Sequence, residues 1–217
     1  MSALTWEVFG IAAVSLKIAL GATILSCLIG IPLGFALGWS RLRGRRVVLL
    51  LLNTALAFPT VVIGLVIYLL LMRRGPLGAL GLLFTSRAIV VAEVILALPI
   101  ATALSAAAVQ SVDPRVRRTA LTLGAGTVRT AWAVAREARF ALAAAVVVAF
   151  GRVLSEVGAA LIVGGNVRHE TRTLTTAITL ATSQGNFNVA IALGLVLLAL
   201  ALTVNVLIQL LQGRGDA

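Results

Sequence analysis

Five stretches of this chain, roughly 11–39, 47–72, 88–110, 138–163 and 187–211, run apolar for long enough to cross a bilayer. A spanning helix needs about 20 mostly apolar residues to cover about 30 Å of hydrocarbon. Inside hydrocarbon every backbone N–H and C=O must be satisfied internally, and these lengths suit helices rather than strands. The sequence therefore predicts an all-α, polytopic transmembrane bundle of about five spans, forming a single domain over 1–217. Composition agrees, with 60% of residues hydrophobic and 12% charged, against about 25% charged in soluble domains. The first stretch exceeds what a span requires, which implies a tilt or an interfacial start. Trp6 and Trp39 bracket it as an aromatic belt would, and Lys17, the one lysine, can snorkel to headgroups. The opening MSALTWEVFG lacks a basic n-region, so the first span is expected to be retained.

The formal net charge of +11 would suggest nucleic acid in a soluble protein. Here the arginines fall between apolar runs, and no basic–aromatic platform for stacking bases exists. The charge belongs to topology and lipid headgroups, and a nucleic-acid partner is excluded. With the N-terminus outside, inner segments hold Arg41, Arg43, Arg45, Arg46, Arg115, Arg117, Arg118, Arg129, Arg136, Arg139 and Arg214. Outer segments hold Arg73, Arg74, Arg87, Arg168 and Arg172. Eleven against five predicts N-out, C-in by the positive-inside rule.

Gly30, Gly34 and Gly38 recur every four residues around Pro32, a pattern for close helix approach with a bend. Gly151, Ser155 and Ala159 suggest a second small-residue stripe. Cys27 is the sole cysteine, which excludes an internal disulfide and a cysteine metal cluster. His169, the sole histidine, sits among charged residues and reads as solvent-exposed; no metal site is predicted.

The inner segment RRTALTLGAGTVRTAWAVAREAR, residues 117–139, is basic, glycine-hinged and partly helical. Asp113-Pro114 is a helix start, with aspartate as N-cap and proline at the first helical position. The following turns set Arg115, Arg118 and Thr122 on one face and Val116, Ala120 and Leu123 on another, resting on the bundle. Gly124 supplies a left-handed cap, Ala125-Gly126 the turn, and Thr127 the cap of a second helix. Anchoring to anionic lipid explains the arginines but not the hinge; docking of a partner explains both. The candidate docking residues are Arg118, Ala120, Leu123, Gly124, Ala125 and Arg129.

Arg152 and Glu156 stand four apart on the fourth span, where ionisable side chains face the protein interior. Two readings remain open: a structural ion pair, or residues lining an anion path, with Glu156 weakening the hold of Arg152 so that an anion escapes. Ser155 lies beside them, and Glu93 has no evident partner in sequence. In the outer segment Gly164-Gly165-Asn166 breaks the fourth span. Thr171 through Ser183 suits a short amphipathic helix, apolar at Leu174, Ile178 and Ala181. Thr175, Thr176 and Thr179 would offer hydroxyl donors to an oxyanion. With Asn166, these read as a gate or a landing surface, or else as part of a solvated loop.

No GxxxxGK[ST] motif surrounds Lys17, so the chain is expected to carry no P-loop ATPase. One histidine in an outer loop supports no nucleophilic triad, and no catalytic residues are assigned.

VDPRVRRTALTLGAGTVRTAWAV resembles the cytoplasmic "EAA" loop of binding-protein-dependent ABC importer permeases. Ala120 matches the second alanine of that pattern, Gly124 its glycine and Val134 its isoleucine. Arg118 stands where glutamate is usual, Thr119 replaces the first alanine, and Arg136-Glu137 replaces Leu-Pro. SLKIALGATILSCLIGIPLGFALGW is similar to the family's first core helix, and FPTVVIGLVIYLLL to the proline-led second helix of molybdate-type permeases. REARFALAAAVVVAFGRVLSEVGAALIVGGN carries an Arg-x-x-x-Glu-x-Gly-Ala core shared among oxyanion permeases. Its TRTLTTAI…TSQGNF continuation is most similar to tungstate-uptake permeases. The resemblance implies the fold of importer permeases and a coupling loop at about 112–137. It implies a homodimer in a bacterial or archaeal cell membrane, bound to two ATPase subunits that carry ATP and Mg, and fed by an extracytoplasmic binding protein. Tungstate is the implied cargo, with molybdate, sulfate or another small solute as alternatives. A non-transporting membrane scaffold is the alternative of another class.

Overall fold

The computed structural model describes residues 3–40 and 44–213, and every regular element among them is helical. In chain order these are α1 (Ala3–Trp39), α2 (Arg45–Leu56), α3 (Thr60–Leu71), α4 (Ser86–Gln110) and α5 (Pro114–Thr122), with one 3-10 turn at Gly78–Leu80. There follow α6 (Thr127–Glu137), α7 (Arg139–Leu154), α8 (Gly158–Gly164), α9 (Leu174–Ser183) and α10 (Phe187–Gly213). Arg41, Arg43 and Arg214 lie outside the described residues.

Three of the five expected spans are continuous: α1, α4 and α10 are each long and apolar enough to cross a membrane. The other two are broken. α2 and α3 meet at 94°, and α7 and α8 at 57°. Pro59 accounts for the first break. It has no N–H to donate, and it disfavours helical geometry at Phe58. α2 and α3 have 12 residues each, about 18 Å of helix, so neither alone covers the hydrocarbon. No proline stands at the second break, which is held by side-chain chemistry described below.

α4 is the buried centre of the bundle, with Ala88, Ile89, Ala92, Ala97, Ala101 and Ala106 wholly enclosed. α1 packs along it through the glycine repeat. A Cβ built on Gly30 would lie 2.8 Å from Ala101 Cβ, one on Gly34 2.6 Å from Ser105 Cβ, and one on Gly38 2.7 Å from Val109 Cβ. The three glycines thus let two helix backbones meet where any side chain would hold them apart. The second expected stripe is not continuous. Gly151 is exposed on α7 and Ser155 at its C-cap, whereas Ala159 lies past the break, fully buried against Gly64 of α3. Cys27 is buried and His169 exposed. Along α10 the side chains of Leu195, Leu198 and Leu202 point away from the bundle, as lipid-facing residues do.

Candidate functional site

Two regions hold the polar residues singled out in sequence: a helical hairpin at the arginine-rich end, and an interior chain of hydrogen bonds.

The hairpin is α5 and α6, packed on each other. Asp113 caps α5, its Oδ1 accepting from the Arg115 N–H at 2.8 Å, and Pro114 follows as the first helical residue. Gly124 closes the helix at φ +78, and the Ala125 N–H reaches back to the Ala120 carbonyl at 2.9 Å. Only open space surrounds Gly124. Glycine is needed there for its left-handed backbone, not for room. The cap of α6 differs from expectation: Gly126 occupies the N-cap and Thr127 the first turn. The inner bond is made by Thr130, fully buried, whose hydroxyl donates to the Gly126 carbonyl at 3.0 Å.

Arg118, Gly124 and Arg129 are exposed, while Ala120 and Ala125 are half-buried. Leu123 does not rest on the bundle. α5 ends at Thr122, so the helical periodicity that assigned Leu123 inward stops one residue short of it. It is 81% exposed, beside Val128 at 83% and Trp132 at 72%. Val128 and Trp132 were missed in sequence, although their spacing of four puts them on one face of α6. Together the three give the hairpin an apolar tip flanked by guanidinium groups. The opposite face of α6, with Thr130 and Val134, turns into the protein.

In the interior, Arg152 and Glu156 do pair, Nη1 donating to Oε2 at 2.6 Å. They do not share a helix, however, because α7 ends at Leu154. Glu156 is buried and bridges the break: its Oε1 accepts the Ala159 N–H at 3.1 Å, capping α8. Its carbonyl oxygen takes the Thr175 hydroxyl at 2.7 Å. Thr175 lies 2.9 Å from the Thr173 hydroxyl, and Thr173 and Thr176 form a reciprocal capping box that starts α9. The Thr176 hydroxyl donates to Asn166 Oδ1 at 3.1 Å, where Arg172 Nε also donates at 3.3 Å. Asn166 itself sits at φ +51, next to Gly165 at +66. Arg168 then grips Glu7 of α1 through two bonds of 3.0 and 2.8 Å. The chain of bonds runs without a gap from Arg152 to Asn166 and Arg172.

The hydroxyls of Thr175 and Thr176 are therefore buried and committed within the chain rather than offered outward. α9 itself is docked, its Leu174 N–H held by Ser15 Oγ of α1 at 2.7 Å. Ser155 stands apart: it is exposed at the C-cap of α7, its hydroxyl turned back to the Arg152 carbonyl at 3.1 Å. Glu93, whose surroundings the sequence left blank, is 2% exposed. It faces a void of about 10 Å³ shared with Ser15, Glu156, Thr173 and Thr175. Among the described residues no cluster of histidine, cysteine or acidic side chains is arranged to hold a metal.

Comparison with known proteins decides the family. Residues 30–215 match the model of the binding-protein-dependent transport system inner membrane component. The chain belongs to this family. Among individual relatives, it is 46% identical over 181 residues to a probable anion ABC transporter permease protein of Haloferax volcanii, covering 81% of this chain and 78% of that one. It is 37% identical over 206 residues to the tungstate uptake system permease protein of Peptoclostridium acidaminophilum, covering 95% of this chain and 90% of that one. Its fold is shared with the solved structure titled an amino acid ABC transporter with histidines. The TM-score is 0.70 at 19% identity, over 97% of this chain and 94% of that one. The chain is thus a multi-pass membrane permease of the ABC importer class.

Proposed function

We propose that this chain, as one permease domain, imports tungstate as a homodimer driven by two cytoplasmic ATPase subunits and supplied by an extracytoplasmic binding protein. The observation that carries the reading is the α5–α6 hairpin: an apolar tip of Leu123, Val128 and Trp132, exposed at the end of a Gly124 hinge and flanked by Arg118 and Arg129. Exposed apolar residues ringed by charge mark a protein contact rather than a solvated turn. The arginine excess at that end supports a cytoplasmic position, with the N-terminus outside and the C-terminus inside. ATP and Mg are assigned to the partner, since the only lysine, Lys17, lies in no GxxxxGK[ST] context.

Closure of the ATPases would draw two hairpins together and rotate the attached α7 helices. The exposed side of α7 and its C-cap, with Val148, Gly151 and Ser155, suits the wall of a path between two protomers. Arg152 is the cation nearest that wall, and its bond to Glu156 tempers the grip on a dianion. Tungstate is favoured by the Peptoclostridium acidaminophilum relative, which covers nearly the whole chain.

The test is ATPase activity of the permease reconstituted with its ATPase and binding protein. Tungstate, molybdate, sulfate and no anion are compared at matched concentration. Stimulation by tungstate above the others is the expected result. A complex that assembles but ignores all three anions would overturn the oxyanion reading and leave the docking reading intact.

A further inference from the structure

At the arginine-rich end of α1 lies a groove of about 750 Å³, walled by Trp39, Arg45, Asp113, Arg117, Arg118 and Leu121 among others. It is distinct from the apolar tip, with Arg118 bordering both: the groove takes the side of α5 that carries Pro114, Arg117, Arg118 and Leu121, whereas Leu123 and Val128 stand beyond the end of that helix. Three guanidinium groups converge on it. None of the three is paired with a carboxylate among the described residues. The one acid in the wall, Asp113, has its oxygens engaged by Arg115, Oδ1 accepting the backbone N–H at 2.8 Å and Oδ2 lying 4.0 Å from Nε.

Two of the arginines are held in place by contacts that leave donors free. The Arg117 guanidinium lies 4.2 Å from the centroid of the Trp39 ring. Stacking of this kind uses the face of the guanidinium and leaves its in-plane N–H groups available. Arg45 spends one N–H on the Ser40 carbonyl at 3.4 Å. Fixed, unpaired guanidiniums at the end of a membrane helix match a phosphodiester, whose paired oxygens accept forked donors. A volume of several hundred Å³ suits a headgroup. Beside the groove α2 leaves Arg45 and carries Val47, Val48, Leu50 and Leu51, all exposed, an apolar surface along which acyl chains can lie. That surface argues for a lipid over a free anion.

We propose that this groove binds the headgroup phosphate of an anionic phospholipid, clamping the root of the α5–α6 hairpin to the membrane. The proposal rests on the chain being a membrane permease, but not on its cargo or on any ATPase.

The experiment uses the purified full-length chain in detergent, with phosphatidylglycerol or phosphatidylcholine of identical acyl chains, and reads retained lipid by native mass spectrometry. Wild type should keep phosphatidylglycerol in preference. Arg117→Gln and Arg45→Gln should each weaken that retention about tenfold, the loss expected for a charge-assisted bond. Arg74→Gln, exposed and outside the groove, should leave it unchanged. Millimolar inorganic phosphate should not displace the lipid. Equal retention of the two lipids by wild type, or equal retention of phosphatidylglycerol by wild type and both groove variants, overturns the proposal. Displacement by inorganic phosphate overturns it too, in favour of a free-anion site. Should Arg117→Gln not fold, the wild-type preference and Arg45→Gln decide.

Discussion

Gly34→Ala tests the packing of α1 on α4 with a single methyl group. The added carbon would lie 2.6 Å from Ser105 Cβ and closer still to the Thr102 carbonyl oxygen. Comfortable contact begins at about 3.5 Å, so the two helices must separate by about 1 Å. The Thr102 oxygen is helix backbone and has no rotamer to escape into. Overpacking costs about 1–3 kcal/mol, and a backbone obstacle sets this case near 3 kcal/mol. Gly10 on the same helix is the matched control, because a Cβ there meets nothing within 4 Å. Gly10→Ala should be neutral or stabilise by up to about 1 kcal/mol through helix propensity. At roughly 2–4 °C per kcal/mol for a chain of this size, Gly34→Ala should lower Tm by roughly 6–12 °C. Gly10→Ala should leave it unchanged or raise it by up to about 4 °C. The assay is thermal unfolding of the purified full chain in one detergent, followed by tryptophan fluorescence. Equal Tm for the two variants would refute the claim that the repeat seats α1 on α4.

Three further outcomes follow from the site geometry. Trp132→Ala should weaken capture of the ATPase subunit at least tenfold, as for an interface anchor worth about 2 kcal/mol, without moving Tm, because the ring is exposed; a pull-down beside a melting curve separates the two. Gly124→Trp has open space for its side chain, so its stability cost is the left-handed backbone, about 1–2 kcal/mol. The same variant should abolish ATPase capture, and undiminished capture would contradict docking at the hinge. Arg152→Gln leaves buried Glu156 without its cation and, with the Arg152 side chain partly exposed, should cost about 1–3 kcal/mol. Adding Glu93→Gln, which removes the second carboxylate at the shared void, should restore part of that loss, and a purely additive double variant would deny the coupling.

How much of this was legible in sequence depended on whether the signal was local. Asp113-Pro114 and Gly124 act within one turn of backbone, and the structure places both as the sequence predicts. The Gly30, Gly34, Gly38 repeat was legible for the same reason: every fourth residue of a straight helix shares a face. Leu123 failed because its side was inferred from a helix that had already ended. Thr175 and Thr176 looked like free donors, since nothing nearby in sequence reveals that the Glu156 carbonyl and Asn166 claim their hydroxyls. The break after Leu154 was invisible in kind. Ser155, Glu156 and Val157 carry no proline or glycine, and the bonds at the turn are made by Glu156, which caps α8, pairs with Arg152 and accepts the Thr175 hydroxyl.

The two broken spans explain each other. α3 packs on α8, where a Cβ on Gly64 would lie 2.8 Å from Ala159 Cα and one on Gly158 2.8 Å from Val61 Cγ2. At Gly64 the α3 backbone meets the α8 backbone, and at Gly158 the α8 backbone meets the Val61 and Thr60 side chains, leaving room for a Cβ at neither position. A helix continuing straight through Ser155–Val157 would carry Ala159 away from Gly64, and a straight run through Phe58-Pro59 would carry Gly64 away from Ala159. Each bend is therefore a condition of the other's packing. Proline enforces the first bend through the backbone, whereas a single carboxylate holds the second. The α7–α8 joint is in consequence the one that can yield: its hold is a charge-assisted set of bonds centred on Glu156, and α7 is also the helix that follows directly from the α5–α6 hairpin. Force applied at that hairpin reaches the Glu156 joint through α7, with only Ala138 between α6 and α7 to absorb it.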